Sequence, residues 1–268
     1  MHSEAPIGVF DSGVGGLTVA REIMRQLPQE SIIYFGDTAR VPYGSKSKET
    51  VITYSRQIVQ FLLTKKVKAI VIACNTASAF ALETMQKEVD IPVIGVVKPG
   101  AKVAAETTKN QKIGVIATEG TINSHIYTDY LSGTNPGVQV FGKACPLFVP
   151  LVEEGWIEDP ITEEIATRYL EELKQFEVDT LVLGCTHYPL LRHTIQKIMG
   201  DGVNLVNPAY ETAKRLKHVL EEHQMINQDS PVAHKFFVSD GADKFKAFAN
   251  TILPCDVEET KDINIEQY

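Results

Sequence analysis

A run of aliphatic residues that ends in a cysteine occurs twice in this chain, as Ala69-Ile70-Val71-Ile72-Ala73-Cys74-Asn75-Thr76 and as Thr180-Leu181-Val182-Leu183-Gly184-Cys185-Thr186-His187. Residues 69–72 and 181–183 are too short and too apolar for anything but buried strands. The small polar residues beyond each cysteine open a helix-like segment. Each thiol is therefore expected where a parallel strand passes into a helix, the place where α/β folds put their chemistry. The two settings match across 111 positions (185 minus 74). One such cysteine would be a nucleophile candidate, whereas a matched pair points to an acid and a base facing a common substrate.

The same strand–loop–helix order runs along the chain. Residues 7–10 read as a first strand, followed by the turn Asp11-Ser12-Gly13-Val14-Gly15-Gly16 and a helical pattern over 17–27 that Pro28 ends. Residues 31–35 form a second strand, and 49–65 carry helical spacing at Val51, Tyr54, Ile58, Phe61 and Leu62. After strand 69–72 come a helix over 77–88 and a strand over 91–97, closed by Lys98-Pro99-Gly100. There the plan restarts: Lys112-Ile113-Gly114-Val115-Ile116-Ala117-Thr118 resembles Pro6-Ile7-Gly8-Val9-Phe10-Asp11-Ser12. The second half reaches its own strand–cysteine–helix over 181–199, then a strand over 203–206 and a helix over 208–222. A last strand over 235–239 and a helix over 243–253 follow. This weak duplication, offset by about 106–111 residues, rests on element order and a few matched residues. Such alternation implies α/β architecture with parallel sheets covered on both faces. A chain of 268 residues accommodates one large domain or two of about 100–150 residues. No linker separates the halves, so they should pack closely around a cleft.

Charge narrows the partners. The net charge of −8 leaves no electrostatic footprint for nucleic acid or an anionic membrane. An anionic substrate must then be held by local donors such as backbone amides at helix starts. No export signal is visible at the N-terminus, and no apolar run approaches the ~20 residues that span a bilayer, so a cytoplasmic location is expected. The cysteines at 74, 145, 185 and 255 include no C-x-x-C pair, which disfavours a metal site or a dithiol redox motif.

Most free cysteines are small buried hydrophobes, and Cys145 and Cys255 fit that description. Cys74 and Cys185 differ, because the polar residues after them promise exposure at a strand end. A helix starting just beyond either thiol would favour thiolate. The Asp11–Gly16 turn is neither G-x-G-x-x-G nor a Walker sequence; it is a tight strand-to-helix turn whose amides, Ser12 hydroxyl and Asp11 carboxylate would line the cleft mouth. An aspartate there can hold an ammonium or orient a thiol. Pro42-Tyr43-Gly44-Ser45 offers donors on the loop after strand two. Asn75-Thr76 and Thr186-His187 would ordinarily cap the next helix, and capping is compatible with carboxylate binding. His187 is titratable and two residues from a candidate thiol. Glu153 and Glu154, before Gly155, read as a solvated helix end.

Together, Asp11-Ser12-Gly13-Val14-Gly15-Gly16, Val41-Pro42-Tyr43-Gly44, Ala73-Cys74-Asn75-Thr76-Ala77-Ser78 and Gly184-Cys185-Thr186-His187-Tyr188-Pro189 closely resemble the bacterial glutamate racemases. The resemblance extends through Gly95-Val96-Val97-Lys98-Pro99-Gly100 and Glu153-Glu154-Gly155. It implies a cofactor-independent isomerase that interconverts L- and D-glutamate and supplies D-glutamate for peptidoglycan. It also implies two α/β lobes of pseudo-twofold symmetry, at 1–97 plus 208–268 and at 98–207, with the active site between them. By the same resemblance Cys74 and Cys185 are the catalytic thiols, and Asp11, Glu153 and His187 assist them. Substrate-binding positions are Asp11, Ser12, Pro42, Tyr43, Gly44, Asn75, Thr76, Thr118, Thr121, Thr186 and His187. A homodimer is implied as well.

Inverting one carbon requires a base on one face and an acid on the other, and groups of similar proton affinity run the exchange in both directions. Cys185 is assigned to L-glutamate and Cys74 to the D-isomer by resemblance. Two other classes stay open. A cysteine hydrolase or amidotransferase could use Cys185, His187 and a carboxylate, although a two-residue spacing at a helix start is not expected to aim the two side chains at each other. A non-catalytic amino-acid-binding protein would keep the donors without needing two thiols.

Overall fold

The computed structural model describes residues 3–228 and 231–268. The chain opens with β1 (Ile7–Asp11), α1 (Leu17–Gln26), β2 (Ile32–Gly36), α2 (Lys48–Thr64), β3 (Ala69–Ile72), α3 (Asn75–Glu88) and β4 (Val93–Gly95). It continues through α4 (Val97–Thr107), β5 (Lys112–Ala117), α5 (Glu119–Asn123), α6 (Ile126–Thr134), β6 (Gln139–Ala144), α7 (Phe148–Glu153) and α8 (Pro160–Gln175). Then come β7 (Thr180–Gly184), α9 (Arg192–Met199), β8 (Asn204–Val206), α10 (Pro208–Glu222), β9 (Lys235–Val238), α11 (Ala242–Ile252) and β10 (Thr260–Asp262).

Two parallel sheets result. One has strand order β10-β9-β2-β1-β3-β4 and the other β6-β5-β7-β8. The order β2-β1-β3-β4 thus recurs as β6-β5-β7-β8, and the cysteine-bearing strands β3 and β7 each lie beside the strand that opens their half. Alternate side chains of one strand enter different cores: Ile7 and Val9 pack with α1, α10 and α11, while Phe10 packs with α2 and α3. The four-stranded sheet is likewise covered by α7, α8 and α9 on one face and by α4 and α6 on the other. Burial on both faces explains why these strands read as unbroken apolar runs.

Helix starts follow capping chemistry. Ser47 accepts from the Thr50 amide, Asp159 from Ile161, Asn207 from Ala209 and Thr118 from Thr121. At α3 the cap is the Cys74 sulfur itself, which accepts from the Ala77 amide at 3.4 Å. Asn75 and Thr76 are therefore the first two helical residues rather than caps, and His187 precedes the 3₁₀ turn at Tyr188–Leu191 with no side-chain cap bond.

Three expectations need correcting. The strand expected over 91–97 is only Val93–Gly95, and Lys98-Pro99-Gly100 opens α4 instead of closing a strand; proline is tolerated there because first-turn amides have no intrahelical acceptor. The strand at Lys235 is not the last, because β10 pairs beside β9 at the sheet edge, where a short polar Thr-Lys-Asp segment gives no apolar signal. Cys255 is only partly buried, whereas Cys145 is fully buried. Among the described residues, no helix is long and apolar enough to cross a membrane.

Candidate active site

Both conspicuous cysteines line one small cavity of about 20 Å³, room for roughly one water. Ser12, Pro42, Tyr43 and Gly44 contribute to its wall, as do Asn75 and Thr76 from the start of α3. Thr118, Val149, Thr186 and His187 close it from the side of the four-stranded sheet, and Val41 joins Pro42 in the loop after β2; neither valine is among the expected substrate-binding positions. A much larger surface groove of about 1050 Å³ lies between α4 and α10 and contains no thiol.

Strand ends deliver the thiols. Cys74 follows β3 and Cys185 follows β7, and each sulfur-bearing residue is 6 % exposed. Cys74 Sγ lies 3.6 Å from Ser12 Oγ as well as accepting from Ala77. Cys185 Sγ lies 3.8 Å from His187 Nδ1, and His187 Nε2 lies 3.0 Å from Glu153 Oε1. The two-residue spacing thus does bring sulfur and imidazole together, contrary to expectation. The reason is local: residues 188–191 form a 3₁₀ turn and α9 begins only at Arg192, so α-helical side-chain geometry does not apply.

The surroundings of the two sulfurs differ. Burial, followed by repulsion from the Asp11 carboxylate, pushes the Cys74 thiol up to about 12, and the Ala77 amide and Ser12 offset this only in part. The α3 start therefore does not make Cys74 a resting thiolate. At His187, burial is the largest single influence and pulls the imidazole down. Hydrogen bonds to Cys185 and Glu153, with the charges of Cys185 and Asp11, outweigh it and push the ring up to about 10. Burial also raises Glu153, but its bond to His187 and the imidazolium charge leave it below the usual carboxylate value. His187 thus lies against Cys185, while the Asp11 charge acts on both Cys74 and His187.

Asp11, Thr121 and Glu153 do not line the cavity but are bonded to groups that do. The fully buried Asp11 accepts from the Gly13 amide at 3.0 Å and from Thr186 Oγ1 at 3.4 Å, and burial raises its carboxyl. The hydroxyls of Thr76, Thr118 and Thr121 lie 2.9–3.2 Å from one another. Glu153 is the last residue of α7 and its side chain is 26 % exposed, so it is not the solvated helix end its sequence suggested. Bonds also cross between the residues around the two sheets: Tyr127 Oη donates to Asn75 Oδ1 at 2.7 Å and Thr18 Oγ1 to the Thr186 carbonyl at 3.0 Å. Gly15 is required for this closeness, since a Cβ there would come within 2.4 Å of His187 Nδ1 and Thr186 Oγ1. Among the described residues no cluster of three or more His, Cys, Asp or Glu is placed to hold a metal ion.

Residues 7–216 match the Asp/Glu/Hydantoin racemase family. The chain belongs to that family. It is 49 % identical to the glutamate racemase of Geobacter metallireducens over 97 % of both chains. Its fold superposes on a glutamate racemase isoform, RacE1, from Bacillus anthracis with a TM-score of 0.95, 41 % identity and 98 % coverage of each chain. The glutamate racemase from Francisella tularensis, solved in complex with D-glutamate, gives a TM-score of 0.93 at 38 % identity, covering 99 % of this chain and all of that one. For a racemase of this family, two thiols on one cavity provide what inversion at a carbon requires.

Proposed function

We propose that the chain is an isomerase that interconverts L- and D-glutamate by moving a proton at Cα between two cysteines, without a cofactor. The observation that carries the reading is the shared cavity of Cys74 and Cys185, with His187 3.8 Å from one sulfur and Ser12 3.6 Å from the other. Towards the L-isomer Cys185 acts as the base, with His187 Nδ1 3.8 Å from its sulfur and Glu153 holding the far side of the ring. Cys74 is the thiol.

From the L-isomer, Cys185 takes the α-proton and Cys74 delivers its own proton to the opposite face. The enzyme is left with Cys185 as thiol and Cys74 as thiolate, the state that accepts D-glutamate. Asp11 serves Cys74: its charge disfavours the anionic sulfur and so favours delivery of the proton back to it when Cys74 acts as the base. The carbanion is stabilised by preorganised donors around the substrate carboxylates and by exclusion of water. Those donors are the polar groups of Ser12, Tyr43, Gly44, Asn75, Thr76, Thr118, Thr186 and His187, with Pro42 in the wall and Thr121 behind it, holding the Thr76 and Thr118 hydroxyls. A cavity with room for one water cannot admit glutamate, so the units 1–97 plus 208–268 and 98–207, read as two lobes, must part and reclose in each turnover.

The product role is supply of D-glutamate for peptidoglycan. A cytoplasmic location and, by family resemblance, a homodimer complete the proposal; light scattering of the purified chain would report the dimer.

The Cys185–His187–Glu153 chain of contacts also fits a cysteine hydrolase or amidotransferase. Turnover in D₂O separates the readings. A two-base racemase incorporates deuterium at Cα from either enantiomer, while a hydrolase forms an acyl-thioester and leaves Cα untouched. Cys74→Ala and Cys185→Ala should each abolish racemisation without unfolding the protein. Substantial turnover by Cys74→Ala would defeat the two-base assignment.

A further inference from the structure

We propose that Asp37 and Arg40, neither of which lines the cavity, are positioning residues that hold Tyr43 and Gly44 in its wall. The inference rests on the reading that this wall meets substrate.

Asp37 directly follows β2, and its amide donates to the Asp11 carbonyl at 3.0 Å, which ties it to the end of β1. Its fully buried carboxylate takes Arg40 Nε on both oxygens, at 3.0 and 2.8 Å, and also accepts a short hydrogen bond from the Tyr43 hydroxyl. Burial and the Asp37 charge hold the Tyr43 hydroxyl well above its usual value, so it remains a donor. Arg40 is itself fixed by α2: Nη1 donates to Gln57 Oε1 at 2.5 Å, and the guanidinium lies 4.0 Å from the centre of the Tyr54 ring. That ring packs on Tyr43 at 5.6 Å. Asp37, Arg40, Tyr54 and Tyr43 therefore form a closed circuit of contacts anchored to one strand and one helix.

A buried ion pair contributes little net stability, because desolvation offsets the attraction, and apolar replacements often do as well. What it supplies is direction, fixing where a hydroxyl and its backbone sit. The tolerance here is small. A Cβ on Gly44 would lie 2.6 Å from Thr118 Cβ, and one on Gly120 would lie 3.0 Å from the Gly44 carbonyl. A loop displaced by a fraction of an ångström would collide with, or pull away from, the opposite wall.

The test is Asp37→Asn, with Arg40→Lys as the milder variant should the first fold poorly. The variants are read by steady-state kinetics in both directions and by hydrogen exchange at the Lys46 amide, which donates to the Tyr43 carbonyl. Asp37→Asn should accelerate that exchange and raise KM for both enantiomers about tenfold or more, with kcat within about threefold. Arg40→Lys keeps the charge without the planar fork and should move both readouts less, in the same direction. Unchanged exchange overturns the clamp. A fall in kcat at fixed KM also overturns it, since that would mark loss of active molecules only. Faster exchange with unchanged KM overturns the proposal through its premise, because the loop would move without substrate noticing. Lack of racemisation by the unaltered chain would instead sink the proposed function, while the exchange measurement still reports on the clamp.

Discussion

Selective alkylation of the two active-site thiols tests the electrostatic asymmetry directly. The perturbation is iodoacetamide at pH 8 on substrate-free protein, with Cys255→Ser as background so that the partly buried third thiol does not compete. Both Cys74 and Cys185 are 6 % exposed, so access does not favour either. Cys74 is pushed from 9.0 up to about 12, which reduces its thiolate about a thousandfold and leaves roughly one molecule in ten thousand ionised at pH 8. Ionising it in place thus costs about 4 kcal/mol more than ionising an unperturbed thiol. Cys185 instead has His187 Nδ1 3.8 Å from its sulfur, a partner that can take up its proton. Time-resolved peptide mass spectrometry should find Cys185 modified while Cys74 stays intact. His187→Asn should slow Cys185 without speeding Cys74. Modification of Cys74 at a rate equal to or above that of Cys185 would refute the reading that Cys74 is held as a thiol.

Three other outcomes follow from the structure. Because His187 binds its proton more tightly folded (about 10) than unfolded (about 6.5), its contribution to stability is complete below about pH 6.5. It is lost as pH rises through 10. The difference in Tm between wild type and His187→Asn should therefore be largest below pH 6.5 and shrink towards pH 10; a difference that grows with pH would contradict this. Gly15→Ala forces a methyl to within 2.4 Å of His187 and Thr186 and should lower kcat/KM about a hundredfold or more, with near-wild-type activity as the contrary result. Lys68, fully buried, pairs with Glu30 at 2.5 Å and donates to the carbonyls of Ser3 and Met225. Lys68→Met leaves that carboxylate buried without its cation and should cost about 3–5 kcal/mol in urea unfolding. A loss under 1 kcal/mol would show that the pair does not tie the returning chain to the sheet.

Particular residues show how far the sequence could be read. The apolar runs 69–72 and 181–183 identified β3 and β7 because strands buried on both faces have no alternative composition. The likeness of residues 112–118 to 6–12 indicated a repeated plan, and the recurring strand order bears this out. The edge strand β10 escaped because it is short and polar. Asp37 and Arg40 escaped because a charged pair in a loop looks solvated until the fold wraps Tyr54 and Tyr43 around it. Glu153 escaped as a derivation, though not as a resemblance, because its partner His187 lies 34 residues away in sequence.

By itself the sequence determined the alternation of strand and helix, the placing of two cysteines at strand ends, and the residue types around them. Those are local matters, fixed by periodicity, capping and side-chain chemistry within a few positions. Only the tertiary structure decided that the two sulfurs share one cavity, and that one lies against His187 and the other against Ser12. It alone decided that a buried carboxylate holds the Tyr43 loop. The physical reason is that charge, burial and proton affinity are set by what lies within a few ångströms, and the packing of two sheets brings those neighbours from far along the chain.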